Sequence, residues 1–365
     1  MSQFYAEEYG TVHRAIYKLA AHSTLRYNQT REIVRRFLNA EHVEEIIFTR
    51  GTTDGINLVA ASFSEAFIEK GDEILISAME HHSNIVPWQL AAQKRGALLK
   101  VIPISDSGEL ILESIEKLLT PRTKILSLTH ISNALGTINP IKEIIAMAHK
   151  NGTKVLIDGA QSAAHMPVDV QALDADFFVF SGHKAFGPTG VGVLYGKREL
   201  LEAMPPVQGG GDMVDTVTFA KTTYQPLPTK FESGTPMIVE VIGLGAALEF
   251  IESYGREEIQ AYTHELLTCA TEQLRQIDGL KIIGTAQEKG PIISFVLDGV
   301  HPLDLATLMD TKQIAMRTGH LCAQPLLLHF ELKAVSRISF APYNNKEEVD
   351  RFVTTLEMMK IALLR

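Results

Sequence analysis

Cysteine, tryptophan and long apolar runs are scarce in this sequence. Of its 365 residues, two are cysteine and one is tryptophan. Two cysteines, Cys269 and Cys322, cannot build a disulfide framework, which is typical of a reducing cytosol. No apolar run approaches the roughly 20 residues of a membrane-spanning helix, and the first ten residues, MSQFYAEEYG, lack the apolar core of a signal peptide. We therefore predict a cytoplasmic protein with no membrane partner.

Basic clusters and metal-binding motifs are also missing. The chain has 34 Lys and Arg against 43 Asp and Glu, a formal net charge of −9. Nucleic-acid-binding surfaces are normally basic, so we predict no nucleic-acid partner. The paired histidines His81 and His82 have no Cys-x-x-Cys or other ligands at zinc spacing, so no metal site is predicted. They are either ordinary loop histidines or rings available for stacking and proton transfer.

Short apolar runs alternate with helical patterns as far as residue 195. This alternation favours an α/β fold with a mostly parallel sheet covered by helices on both faces. Residues 11–39, before the first strand, have apolar groups such as Ile16 and Leu19 at helical spacing, which predicts one or two helices. Beyond residue 195 come a Pro-, Gly- and Thr-rich stretch at 205–236, typical of loops or an exposed hairpin, and then an α+β tail that includes a strand near 313–317. The seven predicted strands lie near residues 46–48, 73–76, 98–104, 123–131, 155–157, 177–180 and 191–195.

Two of these strands end in groups of opposite charge. Residues 155–157 are followed by Asp158, and residues 177–180 by Ser181, His183 and Lys184. Open α/β sheets bind ligands at the carboxyl ends of their strands. Pyridoxal phosphate needs a Lys for its Schiff base and an acid at its pyridine nitrogen. An ordinary ion pair is the alternative, but the flanking Ser and His suit a phosphate, so we favour the cofactor.

A small-residue turn precedes the helix that begins near Thr53. Backbone N–H groups at such a helix start suit a phosphate, but a Thr N-cap explains the same residues equally well. The turn is neither a Walker A loop nor a G-x-G-x-x-G motif, so both interpretations remain open.

Seven stretches, which extend over nearly the whole chain, carry a set of motifs that can be compared with known families. They are TRGTTDGIN (49–57), MEHHSNIVPWQ (79–89), HISNALGTINP (130–140), DGAQS (158–162), SGHKAFGPTG (181–190), FESGTP (231–236) and RTGHLCAQP (317–325). Together they resemble the SUF-type cysteine desulfurases, a branch of the class-V aminotransferase group of fold-type I pyridoxal-phosphate enzymes, and MEHH…NIVPWQ and RTGH-x-CA-x-P are specific to that branch. The resemblance implies a large cofactor-binding domain at 25–240 and a small domain formed by 1–24 and 241–365.

The resemblance implies a role for each residue that would hold pyridoxal 5'-phosphate. Lys184 would form the Schiff base and Asp158 would pair with the pyridine nitrogen. Gln161 would bond the ring oxygen, and His81 would stack on the ring and assist proton transfer. The residues implied at the phosphate are Thr52, Thr53, Ser181, His183 and, from the neighbouring subunit of a homodimer, Thr235.

The same resemblance implies a substrate site and a nucleophile. Asn133 and Arg337 would bind the α-carboxylate of L-cysteine, and His13 would lie on the substrate side. A lone cysteine, even in a loop, is more often an inert buried thiol than a nucleophile. Cys269, which lies in a helical pattern, is expected to be inert. Cys322 would instead take the substrate's sulfur as a persulfide and release alanine. The sulfur would pass to an acceptor protein of the SUF system for iron–sulfur cluster assembly.

Two departures from the family pattern leave alternatives open. Met1 lies inside the pattern, so either the start codon is misassigned or an earlier pocket-lining segment with an L-D-x-A-A-T-like motif is absent. Leu321 replaces a second His. One alternative is a selenocysteine lyase or cysteine-sulfinate desulfinase, which depends less on the thiol. The other is a degenerate, non-enzymatic paralogue that lacks the N-terminal segment.

Overall fold

The computed structural model describes residues 1–13 and 15–364. In this part of the chain, the α-helices are α1 Lys18–Leu38, α2 Thr52–Phe67, α3 Val86–Arg95, α4 Leu112–Leu118, α5 Ile141–Lys150, α6 Val170–Leu173, α7 Arg198–Ala203, α8 Ile238–Tyr254, α9 Arg256–Leu274, α10 Pro302–Asp310, α11 Gln324–His329 and α12 Lys346–Leu363. The strands are β1 Ile46–Thr49, β2 Glu73–Ser77, β3 Leu98–Ile102, β4 Thr123–Thr129, β5 Lys154–Asp158, β6 Phe177–Ser181, β7 Gly192–Gly196, β8 Val214–Val217, β9 Thr222–Tyr224, β10 Leu280–Ile283, β11 Ile292–Leu297, β12 Arg317–Gly319 and β13 Val335–Ser339.

The larger sheet has seven strands in the order β1-β7-β6-β5-β4-β2-β3. Strands β3, β2, β4, β5 and β6 are parallel, and β7 runs antiparallel to both β6 and β1. The predicted count and the mostly parallel arrangement are confirmed. Parallel pairing places the ends of β2, β4, β5 and β6 at one edge of the sheet.

Helices cover both faces of this sheet, which explains why β6 is apolar on both of its faces. Phe178 and Phe180 join a core cluster with residues of α1, α5 and α8, whereas Phe177 and Val179 join a second cluster with residues of α2, α3 and α7. All four side chains are fully buried. A strand buried on both faces has no reason to alternate apolar and polar residues, which explains the continuous apolar run.

A second sheet of four antiparallel strands has the order β10-β11-β13-β12. One face packs on α9, α10 and α12 through a third core cluster that includes Phe295 and Phe352. This smaller α+β unit confirms the predicted C-terminal architecture, while the boundaries 25–240 and 241–365 stay predictions. Each helix in residues 1–13 and 15–364 is too short or too polar to span a bilayer.

Two predicted elements differ from the structure. Helix α1 begins at Lys18 rather than near residue 11, because His13 has a left-handed φ of 68° and Tyr17 is extended. The apolar spacing of Ile16 and Leu19 was misleading, since both side chains are exposed. The strand predicted at 313–317 begins only at Arg317, because Gln313 adopts a left-handed φ of 58° in the turn after α10.

A buried ion pair fastens α1 to the loop before α8. Both guanidinium nitrogens of Arg31 donate to the carboxylate of Glu232, each at 2.8 Å. The Phe48 N–H of β1 also donates to this carboxylate, at 2.7 Å. The two side chains are 9% and 11% exposed. A bidentate pair with further hydrogen bonds satisfies both desolvated charges.

Replacing Glu232 with Ala should therefore destabilise the protein strongly, because the Arg31 charge would remain buried without a partner. We expect the free energy of unfolding, measured by urea denaturation, to fall by about 3–5 kcal/mol. The exposed pair Arg198–Glu202, at 51% and 56% exposure, offers a matched control. Glu202→Ala should cost about 0–1 kcal/mol. Equal losses in the two variants would contradict a structural role for the buried pair.

Candidate active site

The carboxyl edge of the larger sheet contains a cavity of about 180 Å³. Asp158 is the last residue of β5, and Ser181 is the last residue of β6. Lys184 closes the single 3₁₀ turn that follows β6. Nine of the predicted site residues line this cavity: Thr52, Thr53, His81, Asn133, Asp158, Gln161, Ser181, His183 and Lys184.

One end of the cavity is built by the start of α2 against the end of β6. The Thr52 N–H donates to Ser181 Oγ at 2.8 Å, and the two hydroxyl oxygens are also 2.8 Å apart. Gly51 has a φ of 149°, and a Cβ there would lie 3.2 Å from Ser181 Oγ. Glycine therefore allows the turn to approach β6 this closely. Hydroxyls at the N-terminus of a 16-residue helix suit a phosphate.

Asp158 and Lys184 lie in an environment that disfavours both charges. Burial raises the pKa of Asp158 above its ordinary value, and the attraction of Lys184 opposes this shift. Burial likewise lowers the pKa of Lys184, and the attraction of Asp158 opposes it. No ion pair joins the two among the described residues, which argues against the ordinary ion-pair interpretation. A buried amine with a lowered pKa is a better nucleophile near neutral pH.

His81 presents a neutral ring to the cavity. Burial, with smaller effects of Lys184 and His82, lowers its pKa to about 4. Its Nδ1 accepts the Ser83 N–H at 3.1 Å and lies 2.7 Å from Ser83 Oγ. An Nδ1 that accepts a backbone N–H leaves the proton on Nε2. Ser83, which also lines the cavity, was not identified from the sequence.

Glu80 was also missed, although it is completely buried beneath the same edge. Its carboxyl group accepts hydrogen bonds from Asn84 Nδ2 at 2.6 Å and from the Thr129 N–H at 3.0 Å, and it contacts Ser77 Oγ. These bonds join the ends of β2 and β4. Burial raises the pKa of Glu80 to about 8. The only sequence signal was a Glu directly before two histidines at a strand end.

A second pocket, of about 310 Å³, adjoins the first and shares His81, Asn133, Gln161 and Lys184 with it. It adds residues from the smaller sheet and from the loop after β12. The added residues are Arg317, Thr318, Gly319, His320, Leu321, Cys322 and Arg337. The structure thus brings Cys322 and Arg337 to the site, as predicted, from a different sheet.

Hydrogen bonds between the two sheets hold the Cys322 loop in place. Asn133 Nδ2 donates to the Leu321 carbonyl at 2.7 Å. The His82 N–H donates to the Cys322 carbonyl, also at 2.7 Å. Leu321 and Cys322 have left-handed φ angles of 53° and 55°, which are costly for residues with a Cβ. The loop therefore needs these anchors to present its exposed thiol.

Arg337 is the cation that faces this pocket from β13. Its Nη1 donates to the Asn133 carbonyl at 2.8 Å, while its buried Nε has no hydrogen-bond partner within residues 1–13 and 15–364. A buried donor without a partner is costly, and a substrate carboxylate would satisfy it. Burial lowers the Arg337 pKa below its ordinary value.

Two predicted residues lie outside both pockets within one chain. The exposed His13 packs its ring edge-on against Tyr27, with centroids 5.5 Å apart. Thr235, also exposed, lines a separate cavity of about 150 Å³ that includes Tyr27. Their roles at the substrate and at the neighbouring subunit's cofactor stay predictions.

The residues of the first cavity fit pyridoxal phosphate. A buried amine, a buried carboxylate and hydroxyls at a helix start are the three groups that this cofactor requires. The donors lie around a single cavity at the sheet edge where such ligands bind.

Comparison with known proteins agrees with this arrangement. The family model for class-V aminotransferases matches residues 1–352. The chain belongs to the class-V aminotransferase family. Membership of this family implies pyridoxal phosphate, and two solved cysteine desulfurases share the fold. The Escherichia coli enzyme CsdA is 42% identical with a TM-score of 0.93, and that of Thermococcus onnurineus is 36% identical with a TM-score of 0.95. Each comparison covers 99% of this chain and 90% of the other.

Relatives within the class-V family include further cysteine desulfurases. The cysteine desulfurase of Synechococcus elongatus is 52% identical over 100% of this chain, which corresponds to 58% of that protein. The probable cysteine desulfurase of Halalkalibacterium halodurans is 48% identical over 99% of this chain and 88% of its own length. The chain therefore spans little more than half the length of some relatives and most of the length of others.

Buried histidines near this class-V site should make the protein sensitive to acid. The Nδ1 of His130, which follows β4, has no hydrogen-bond partner in the described part of the chain, and burial lowers the pKa of this histidine to about 4. Between its ordinary value of 6.5 and about 4, the unfolded chain binds a proton that the folded protein does not. Stability supported by neutral His130 is therefore present above this window and falls as the pH decreases through it.

We expect His130→Gln to reduce the pH dependence of the free energy of unfolding by about 1.4 kcal/mol per pH unit inside this window. Urea denaturation at several pH values would measure that slope, whatever the variant's absolute stability. The exposed His329→Gln is the matched control and should retain the wild-type slope. A His130→Gln slope equal to that of the wild type would show that this histidine does not contribute.

Proposed function

We propose that this chain is a pyridoxal-phosphate-dependent cysteine desulfurase that converts L-cysteine to L-alanine and retains the sulfur on Cys322. The observation that carries the proposal is the exposed Cys322 thiol in the same pocket as Lys184, Asn133 and Arg337. An amino acid held by its carboxylate in this pocket lies between an amine and a nucleophilic thiol. The names of the relatives support the same reaction.

The first cavity would hold the cofactor. Lys184 would bind it covalently, and Asp158 would lie at its pyridine nitrogen. Thr52, Thr53, Ser181 and His183 surround the end of the cavity that suits the phosphate, with Thr235 expected from a second subunit. Gln161 would bond the ring oxygen. When bound, pyridoxal phosphate supplies an acceptor for the electron pair released at the substrate Cα.

The protein's own groups would bind the substrate and move its proton. The unpartnered Nε of Arg337 and the amide of Asn133 would hold the α-carboxylate. Lys184 would take the proton from Cα, aided by its lowered pKa. The neutral ring of His81 would stack on the cofactor and assist proton transfer at Nε2.

Cys322 would then take the sulfur. Its thiolate attacks the γ-sulfur of the substrate, an S–S bond forms and the Cβ–S bond breaks. The electron pair of the broken bond remains with the substrate carbon, which gains a proton and leaves as alanine. Cys322 keeps a persulfide, and a reducing acceptor thiol would remove its outer sulfur.

We further propose that the enzyme acts as a homodimer that passes sulfur to an acceptor protein of the SUF system for iron–sulfur cluster assembly. The exposed Thr235, which lies outside both active-site pockets of its own chain, supports a contribution to a second site. The exposed Cys322 thiol supports access for an acceptor. A cytoplasmic location stays a prediction from the sequence.

Replacing Lys184 with Ala should abolish the visible absorbance of the covalently bound cofactor, because no other amine lines the first cavity among the described residues. An absorbance spectrum after incubation with pyridoxal phosphate would show this loss. Lys150→Ala removes an exposed amine at the end of α5 and should retain the wild-type spectrum. Persistence of the Lys-linked band in Lys184→Ala would reject the cofactor assignment.

Cys322→Ala should reduce alanine formation from L-cysteine by about 10²-fold or more in the presence of reductant, since the acceptor of sulfur is lost. Cys269→Ala, in α9, should keep wild-type activity. Turnover of L-cysteine by Cys322→Ala at the wild-type rate would contradict the persulfide role. Parallel assays with selenocysteine and cysteine sulfinate would separate a lyase or desulfinase, whose better leaving groups need the thiol less.

A further inference from the structure

We propose that His82, His320 and Cys322 form a binding site for Zn²⁺ or a similar soft divalent cation, which masks the Cys322 thiolate while it is bound. One ligand atom from each of the three side chains lies within 4.8 Å of the other two. The sequence predicted no metal site, because His82 and the Cys322 loop are far apart along the chain. The fold brings His82 next to His320 and Cys322, which line the second pocket.

Three contacts position these groups. The His82 N–H donates to the Cys322 carbonyl at 2.7 Å, so the two chain segments touch directly. The rings of His82 and His320 have centroids 5.4 Å apart and planes inclined by 36°. Cys322 and His320 are exposed, and His82 is partly buried. A cation can therefore reach the cluster from solvent.

The distances require only small side-chain movements. Zinc binds sulfur at about 2.3 Å and imidazole nitrogen at about 2.0–2.1 Å, so ligand atoms of a tetrahedral site lie roughly 3.5 Å apart. The observed separation of up to 4.8 Å would have to close by about 1 Å. Rotation of the exposed Cys322 and His320 side chains, on a loop whose backbone is already anchored, can provide this closure.

Each histidine at present accepts one backbone N–H. The Gln324 N–H donates to His82 Nε2 at 3.2 Å, and the Cys322 N–H donates to His320 Nδ1 at 3.0 Å. A cation would either replace these donors or bind the other ring nitrogen after a change of tautomer. Both ring nitrogens of His are known metal ligands. These hydrogen bonds hold the rings in place when no metal is bound.

Charge and ligand chemistry select the kind of cation. Arg317 and Arg337 line the same pocket and repel any cation. The Cys322 thiol must lose its proton to solvent when the metal binds, because a negatively charged thiolate ligand is needed to offset this repulsion. Thiolate with imidazole favours zinc over magnesium or calcium. Three protein ligands leave a fourth position open, as in zinc sites that bind water or an incoming ligand.

The consequence for catalysis rests on the proposed function. A thiolate lone pair that binds zinc is not free to attack the substrate's sulfur. Metal binding and persulfide formation would therefore compete for the same sulfur atom. Zinc at this site would therefore control whether Cys322 reacts. A thiolate of an acceptor, bound at the open fourth position of the zinc, would take part in the same control.

Zinc binding to the full-length holoenzyme tests the site directly, by competition with a chromophoric chelator. We expect one Zn²⁺ per chain for the wild type and loss of this binding in Cys322→Ser, which keeps the shape but not the thiolate. Removing a residue that only hydrogen-bonds a metal ligand lowers metal affinity about 10–100-fold. Removing a ligand itself should have at least this effect, so His82→Ala and His320→Ala should each bind zinc at least about 10-fold more weakly than the wild type. His329→Ala and Cys269→Ala, which alter groups outside the cluster, should bind as the wild type does.

Alkylation by iodoacetamide, followed by peptide mass, gives a readout that requires no activity. Zinc should slow modification of Cys322 at least about 10-fold in the wild type, but not in His320→Ala. A chelator should restore the reaction. Cys269 in the same molecule is the internal control, and its modification should not change.

Unchanged zinc affinity in Cys322→Ser or in both histidine variants would overturn the proposal, as would equal alkylation with and without zinc. These results are independent of the desulfurase assignment. Zinc binding without alanine formation from L-cysteine in zinc-free buffer would reject the proposed function and keep the metal site. Alanine formation without stoichiometric zinc binding would reject the metal site and keep the function.

Discussion

Hydrogen bonds across the two sheets determine where the Cys322 thiol lies. Asn133 at the larger sheet donates to the Leu321 carbonyl, and Arg337 of the smaller sheet donates to the Asn133 carbonyl. The His82 N–H adds a third bond, to Cys322 itself. Because two consecutive loop residues adopt left-handed backbone angles, the loop would not hold this shape alone. The proposed chemistry and the proposed metal site both depend on these contacts.

Burial is the second constraint, and it sets the charge state of the site. For both Asp158 and Lys184, the cost of desolvation outweighs their mutual attraction and shifts each pKa toward the neutral form. The same cause lowers the pKa of His81 to about 4 and raises that of Glu80 to about 8. A site of this kind holds a neutral imidazole near pH 7 and an amine that loses its proton more readily than an ordinary lysine. Such an environment suits a cofactor that binds through an amine.

Strand ends explain why so much of the site could be predicted. Asp158, Ser181 and Lys184 follow short apolar runs, and parallel pairing brings such ends to one edge. Other features depended on contacts without a local pattern. Glu80 joins β2 to β4 through hydrogen bonds that no spacing reveals. The helical region predicted from residue 11 begins only at Lys18, because apolar spacing does not distinguish a buried face from the exposed Ile16.

The sequence by itself determined the seven strands, the polar groups at their ends and, through its motifs, the family. These are local properties, set by residue types a few positions apart. Only the tertiary structure decided the order of the strands, the arrival of Cys322 and Arg337 at the larger sheet, and the approach of His82 to His320. Those contacts join distant parts of the chain, and they arise because the two sheets pack together: Val335 of β13 lies in the same core cluster as Phe178 of β6.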